Sequence, residues 1–423
     1  MVSPIQQAAL LVGGRGTRLG ALTESIPKPL APVAGRPFLD WQIREVARHG
    51  FTRITLLAGY RAEQIVDRYH GRRILGARIE VLVEPAPLGT AGCLRLFRAS
   101  LDDRFLLLNG DTLFSINLLD LPLHAGEALG TLALRSTAPG GRYGTVDLRE
   151  DGGVTGFLPR APGRNGPING GIYVLERSIV DWIGEGPVSL EAEVFPRLAQ
   201  AGKLRGALYD GEFIDIGIPE DLERAQNLIP EMQRRPAAFL DRDGVLIVDD
   251  GYPHDPAKVT WTPGAAAALK RLNDAGYYVF VVTNQAGVGR GYYPEPQVEV
   301  LHRWMAEAFA AHGAHVDAWE HCPHHPEAGL EAYRRDCRRR KPRPGMIEDL
   351  LAVWPVRSEE SFLIGDRETD LAAAAAAGIA AHRFTGGALD EFLARTQVLP
   401  PGRPASQAMD SSVSRNARPA IHG

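Results

Sequence analysis

The sequence predicts an α/β fold built from two successive domains, and three observations carry that prediction. Short apolar runs alternate with helical patterns in both halves of the 423-residue chain. The alternation stops at a polar, proline-bounded stretch, 229–236, and then starts again. In both halves an apolar run ends in glycine and aspartate, and the carboxyl ends of strands are where open α/β sheets bind ligands.

In order, the first half reads as a strand at 8–12 ending in glycines, an amphipathic helix at 37–49, a strand at 54–58 and a helix at 61–69. A buried strand at 105–108 stops at Asn109-Gly110-Asp111, and another strand, 168–175, follows a Pro/Gly-rich loop. The second half opens on a strand at 237–240, followed by a helix at 264–274 and a strand at 278–282. A later strand, 361–364, again stops at Gly365-Asp366, and the alanine run 372–377 belongs to a helix. These limits set domains at 1–235 and 236–390. Residues 391–423 are expected to form a disordered tail, since beyond about Leu399 the chain is Pro, Ser, Arg and Gly with little apolar content.

Composition narrows the class. Hydrophobic residues make up 44% and charged residues 23%, as in ordinary soluble domains. The formal net charge of −4 gives no sign of the basic stripe of a nucleic-acid protein, although local basic clusters can still attract anionic substrates. Three cysteines, Cys93, Cys322 and Cys337, are too few for a disulfide framework and suit a reducing compartment. The N-terminus lacks a basic region before an apolar run, and no apolar stretch reaches the roughly 20 residues that span a bilayer. A cytoplasmic protein without nucleic-acid or membrane partners is expected.

The first candidate site is a glycine-rich loop, Gly13-Gly14-Arg15-Gly16-Thr17-Arg18-Leu19, directly after the first strand. Glycines let a backbone approach phosphate and aim its N–H groups at it. Leu19 excludes a dinucleotide fingerprint, and no Gly-Lys-Ser/Thr completes a P-loop. Pro27-Lys28-Pro29 fixes a lysine between prolines, which preorganises it for an anion. Pro87-Leu88-Gly89-Thr90, Asn109-Gly110-Asp111-Thr112, Asn169-Gly170-Gly171 and Phe213-Ile214-Asp215-Ile216-Gly217 follow in order.

This ordered set resembles the sugar-phosphate nucleotidyltransferases, and its phrasing resembles the heptose-1-phosphate guanylyltransferases. The resemblance implies a Rossmann-like sheet, a nucleoside triphosphate (GTP) and a sugar 1-phosphate as partners, and Mg²⁺ on Asp111 and Asp215. It also implies that Gly13, Gly14, Gly16, Thr17 and Arg18 hold the triphosphate, and that Lys28 neutralises phosphate charge. Gly89 would lie beside the base, and Asn169 and Gly171 at the sugar. Where many members carry Glu-Lys, this chain has Pro159-Arg160, so Arg160 is the candidate for the sugar phosphate. Glu84 and Cys93 are expected to be structural.

The second site opens on Asp241-Arg242-Asp243-Gly244, two like charges that repel unless a cation joins them. Val281-Val282-Thr283-Asn284-Gln285, Arg340-Lys341-Pro342 and Gly365-Asp366-Arg367-Glu368-Thr369-Asp370 complete it. The four together resemble the haloacid-dehalogenase superfamily of phosphatases, with a Rossmannoid sheet. Asp249-Asp250-Gly251-Tyr252 and Lys341-Pro342-Arg343-Pro344-Gly345-Met346 resemble the heptose-bisphosphate and histidinol phosphatases in particular. By that resemblance Asp241 is the nucleophile and Asp243 the general acid and base, and Thr283 and Lys341 hold the phosphoryl oxygens. Asp241, Asp366 and the backbone carbonyl of Asp243 take Mg²⁺, with Asp370 in support. Asn284, Gln285, Arg340 and Arg367 contact substrate. These phosphatases carry a Cys₃His zinc loop; Cys322, His324 and Cys337 match it, but Arg339 stands in the fourth ligand's place, where His321, His325, Asp336 or water would have to substitute.

The expected function is removal of the 7-phosphate from D-glycero-D-manno-heptose 1,7-bisphosphate, then guanylyl transfer to the heptose 1-phosphate. The alternatives are the same chemistries on a hexose phosphate, a histidinol-phosphate-like phosphatase specificity, or one domain acting as a non-catalytic nucleotide sensor.

Overall fold

The computed structural model describes residues 5–136, 143–161 and 165–398. Among these, two separate sheets carry the two halves. The first sheet has a parallel centre. Gln7–Leu11 pairs with Arg53–Ala58 on one side and Arg104–Asn109 on the other, and Ala77–Val83 continues the parallel set. Ile168–Glu176 runs antiparallel beside Arg104–Asn109 and links to Gly130–Arg135 and Leu204–Tyr209. The central strands are buried on both faces, which is why they read as continuous apolar runs.

The second sheet is wholly parallel, in the order Ala318–Cys322, Tyr278–Asn284, Ala237–Leu240, Phe362–Gly365, Ala380–Arg383. Helices Ala265–Asp274 and Pro296–Ala310 contribute Leu269, Leu272, Leu301 and Met305 to one core cluster, and Met346 and Ile347 belong to a second. Asp111 therefore lies just past the carboxyl end of a strand in the first sheet, and Asp241 and Asp366 just past those of strands in the second.

Two readings of the sequence need correction. Residues 229–233 of the polar boundary stretch belong to a continuous helix, Pro219–Gln233, with Pro230 inside it. Ala225, Ile229 and Met232 are buried at helical spacing, a pattern that the surrounding Glu, Gln and Arg concealed. Arg235 is buried too, and its guanidinium bonds Glu45 at 3.1 Å, while Arg48 on the same helix as Glu45 reaches Asp317 at 3.1 Å. Burial acts to raise the Glu45 carboxyl, but Arg235 and Arg48 hold it well below the usual range. The junction between the sheets is thus a buried ionic contact.

The second correction concerns the tail. Residues 391–398 are ordered: the helix Leu389–Arg395 buries Leu389 and Leu393 in the cluster that holds Leu269 and Leu272, and Tyr277 donates to the Val398 carbonyl at 3.0 Å. Phe392 of the same helix packs edge-on against Phe384, with ring centroids 5.2 Å apart. Residues 399–423 lie outside the described residues.

Candidate functional sites

In the first half, two loops converge on one charged centre. Gly110 donates to the Leu11 carbonyl at 3.0 Å, which ties the Asp111 loop to the glycine-rich loop. A short antiparallel ladder, Thr112–Phe114 against Phe213–Asp215, pairs Asp215 with Thr112 and so brings it beside Asp111. Buried Gln42 donates to the carbonyls of Asn109 and Thr112, at 2.8 and 2.6 Å, and fixes the loop from below. Lys28, only 6% exposed, sits between the two carboxylates, 2.5 Å from Asp111 and 3.9 Å from Asp215.

Burial raises the Asp215 carboxyl, and the charge of Asp111 raises it further. Two carboxylates converging under one lysine suit an oxygen-seeking cation, with the remaining ligands to come from phosphate or water. Gly16 has φ +63°, and a Cβ there would lie 2.8 Å from Cβ of Lys28, so glycine is what allows the lysine its place.

A cavity of about 500 Å³ opens from this centre, lined by Gly13, Gly14, Lys28, Gly89 and Asp111. Thr17 and Arg18 are exposed on the following turn; the Arg18 guanidinium nevertheless reaches the neighbourhood of Gly217 and Asp215. Asn169 and Gly171 stand one step away: Asn169 donates to the Tyr173 hydroxyl at 2.9 Å, which reaches Glu191 at 3.4 Å, which accepts from Thr90 of the cavity at 2.8 Å. Arg160 is exposed and is not among the residues lining the cavity.

Glu84 and Cys93, expected to be structural, both line it. The Glu84 carboxylate accepts from the Leu88 N–H at 3.2 Å; burial raises its pKa, and that hydrogen bond opposes the shift. Glu191 escaped sequence reading, and Glu84 gave no sign of facing a cavity, because a single carboxylate has no spacing to betray it.

In the second half, Asp241 follows its strand and is buried beside Lys341, 2.9 Å away. Lys341 also pairs with Asp370 at 2.6 Å. Burial, offset by Lys341 and reinforced by Asp370 and Asp243, pushes the Asp241 carboxyl up to about 7. Asp241, Asp366 and Asp370 bring ligand oxygens within 4.8 Å of one another. Oδ1 of Asp366 is buried with no hydrogen-bond partner among the described residues, and an orphaned carboxylate oxygen is what a cation would satisfy. Gly244, at φ +87°, leaves the room: a Cβ there would fall 2.5 Å from Asp366.

The side chain of Asp243 lies outside this group of three. Arg242, fully buried, donates to it at 2.7 and 3.1 Å, and Gln285 donates at 2.8 Å. Gln285 is 2% exposed; its carbonyl accepts from Arg242 and Tyr293, and its amide donates to Asp243 and Thr283. It lines the cavity with its amide shared among these four side chains. Asn284 exchanges two hydrogen bonds with the Lys341 backbone and so sets the lysine loop. Arg340 and Arg367 line the same cavity of about 440 Å³, as does Arg290, which the motifs did not point to. Arg242 also went unnoticed, although its place between the two aspartates was the signal.

Cys322, His324 and Cys337 do gather, with ligand atoms within 4.8 Å. Burial pushes the Cys322 thiol up to about 12. Arg339 turns away to Glu320 and Asp349. The suggested substitutes are engaged elsewhere: His321 with Glu295 at 3.0 Å, His325 with the Glu327 N–H at 3.0 Å, and Asp336 with Arg343. Among the described residues no fourth side chain joins these three, and a structural zinc site is normally closed by four.

The nucleotidyl transferase family model matches residues 7–231, and a HAD-hydrolase-like model matches residues 338–401. The chain is 52% identical over 160 residues to D-glycero-beta-D-manno-heptose-1,7-bisphosphate 7-phosphatase of Rhodopseudomonas palustris, covering 38% of this chain and 89% of that protein. It is 36% identical over 216 residues to D-glycero-alpha-D-manno-heptose 1-phosphate guanylyltransferase of Campylobacter jejuni, covering 51% of this chain and 96% of that protein. A namesake of the phosphatase in Salmonella typhi is 40% identical over 144 residues, 34% of this chain and 77% of that protein. No helix among the described residues is long and apolar enough to cross a membrane.

Proposed function

With the chain belonging to the nucleotidyl transferase family across residues 7–231, we propose that it is a bifunctional enzyme of activated-heptose synthesis. Residues 1–235 act as a guanylyltransferase, and the region from 236 acts as a phosphatase. The observation that supports this reading is that each half gathers a buried lysine among converging carboxylates, Lys28 with Asp111 and Asp215, and Lys341 with Asp241 and Asp370 beside Asp366. A nucleotide sensor would need neither set intact.

In the phosphatase half, Asp241 attacks phosphorus and the bond to the sugar oxygen breaks, leaving an aspartyl-phosphate. Asp243, aimed by Arg242 and Gln285, gives its proton to the leaving oxygen and later takes one from the hydrolytic water. Lys341 and Thr283 hold the phosphoryl oxygens. In the transferase half, an oxygen of the sugar 1-phosphate attacks the α-phosphorus of GTP and pyrophosphate leaves. A phosphomonoester with a second pKa near 6 is already ionised, so no general base is required. Lys28 and Arg18 offset the crowded negative charge. Magnesium fits the all-oxygen ligand sets at both sites, where it would neutralise phosphate charge. The test is a substrate panel: phosphate release located at C7 by mass spectrometry, and pyrophosphate release measured across sugar 1-phosphates and nucleotides. Equal turnover of hexose and heptose phosphates would remove the heptose assignment.

The two relatives differ in anomer, β for the phosphatase and α for the guanylyltransferase. Removing the 7-phosphate breaks no bond at C1, so consecutive steps in one chain require a shared anomer. The reading therefore assigns the α-anomer to both halves.

Glu84 suits the guanine base. A carboxylate accepts from both N1–H and the 2-amino group, whereas the edges of adenine and uracil do not offer that donor pair. Glu84→Gln should lower kcat/KM for GTP by about 10–100-fold and narrow the preference over ATP. Unchanged base selectivity in a nucleotide competition assay would show that Glu84 does not face the base.

At the cysteine loop, Arg339→Cys should complete a Cys₃His set and hold about one zinc per chain through dialysis, with a higher melting temperature in zinc. Wild type should lose its zinc. Stoichiometric zinc in wild type, removed by Cys322→Ser, would mean that another group closes the site.

A further inference from the structure

The phosphatase cavity holds more positive charge than phosphoryl transfer uses. Arg242 is paired with Asp243, Arg367 with Asp249, and Lys341 with Asp241 and Asp370. Arg290 and Arg340 line the same cavity, yet among the described residues neither has a carboxylate partner. Arg340 bonds only the His324 carbonyl, at 3.1 Å, and the Arg290 guanidinium stands over the Tyr252 ring, 5.8 Å from its centre. Both guanidinium groups thus belong to the lining of one cavity of about 440 Å³. Like charges brought together without a counterion are unfavourable, and an anion between them removes the penalty. The place of the transferred phosphoryl is already fixed by Asp241, Thr283 and Lys341, so the anion in question is a second one.

We propose that Arg290, with Arg340, holds the distal phosphate of a bisphosphorylated sugar, the phosphate that is not cleaved, and that Arg290 thereby selects bisphosphate over monophosphate. Arg290 follows the short helix Ala286–Gly289, which begins directly after Gln285. The strand end that organises Asp243 therefore also sets the distance from the reacting phosphorus to the second phosphate. Guanidinium groups match phosphate through paired N–H donors, and Tyr252 beneath Arg290 restricts where its plane can lie.

The inference rests on the phosphatase reading, and the test separates the two. The full-length protein with magnesium is assayed on heptose 1,7-bisphosphate and on 4-nitrophenyl phosphate, which has no second phosphate. Arg290→Gln should raise KM for the bisphosphate about 10–100-fold, with less than about a threefold fall in nitrophenyl phosphate turnover. Arg290→Lys should recover part of the loss, since charge remains while the paired geometry does not. Melting curves confirm that the exposed position has not disturbed the fold. Equal losses on both substrates, or no change on the bisphosphate, would overturn the distal-phosphate site while leaving the phosphatase in place. Wild type inactive on both substrates would remove the phosphatase reading and the inference with it.

Discussion

Asp241→Asn should abolish phosphate release, by at least about 10³-fold, while guanylyl transfer from a supplied heptose 1-phosphate continues at its wild-type rate. The amide keeps the size of the side chain and removes the nucleophile, and loss of a nucleophile is among the largest single-residue effects in catalysis. The fold should survive. Asp241 is buried and its carboxyl is already pushed up to about 7, so the native site pays to keep it charged. Lys341 retains Asp370 at 2.6 Å after the change. A folded variant that lost both activities would show that the two sites are not independent, and the buried contact of Glu45 with Arg48 and Arg235 would be the first place to look for the coupling.

Asp111→Ala should have the opposite effect: pyrophosphate formation falls by about 10²–10³-fold, the scale of losing one preorganised electrostatic contact, with phosphatase turnover intact. Lys28 loses its 2.5 Å partner and keeps only Asp215, at 3.9 Å, so the centre proposed to gather cation and triphosphate is left with one carboxylate. Raising magnesium should recover little, because a ligand has gone and the lysine's charge is now less balanced. Full transferase activity at saturating magnesium would show that Asp111 is not a metal ligand.

The legible parts of this protein were those that combine several residues in order. Apolar runs ending in Gly-Asp announced the strands at Arg104–Asn109 and Phe362–Gly365. Lys28, Asp111 and Asp215, separated widely along the chain, share one centre, as do Asp241, Lys341, Asp366 and Asp370. What was not legible depended on three-dimensional company. The motif places Gln285 at the substrate, but it does not show that its amide is shared among Arg242, Asp243, Thr283 and Tyr293. Glu84 looked inert because nothing local marks a carboxylate that faces a cavity. The helix through 229–233 was hidden by charged residues on its solvent side, and the helix at Leu389–Arg395 by its brevity. Arg339 illustrates the converse: its departure from a motif was visible at once, but its turn toward Glu320 and Asp349 was not.

The central claim is that one chain performs two consecutive steps on one sugar. The most direct measurement offers the full-length protein GTP, magnesium and either anomer of D-glycero-D-manno-heptose 1,7-bisphosphate, and follows products by mass spectrometry. The account predicts inorganic phosphate, pyrophosphate and GDP-heptose from the α-anomer, with the nucleotide sugar absent when either Asp241→Asn or Asp111→Ala replaces wild type. Phosphate release without any GDP-heptose from the α-anomer, at a GTP concentration that supports transfer to authentic heptose 1-phosphate, would contradict it: the two halves would then serve different sugars.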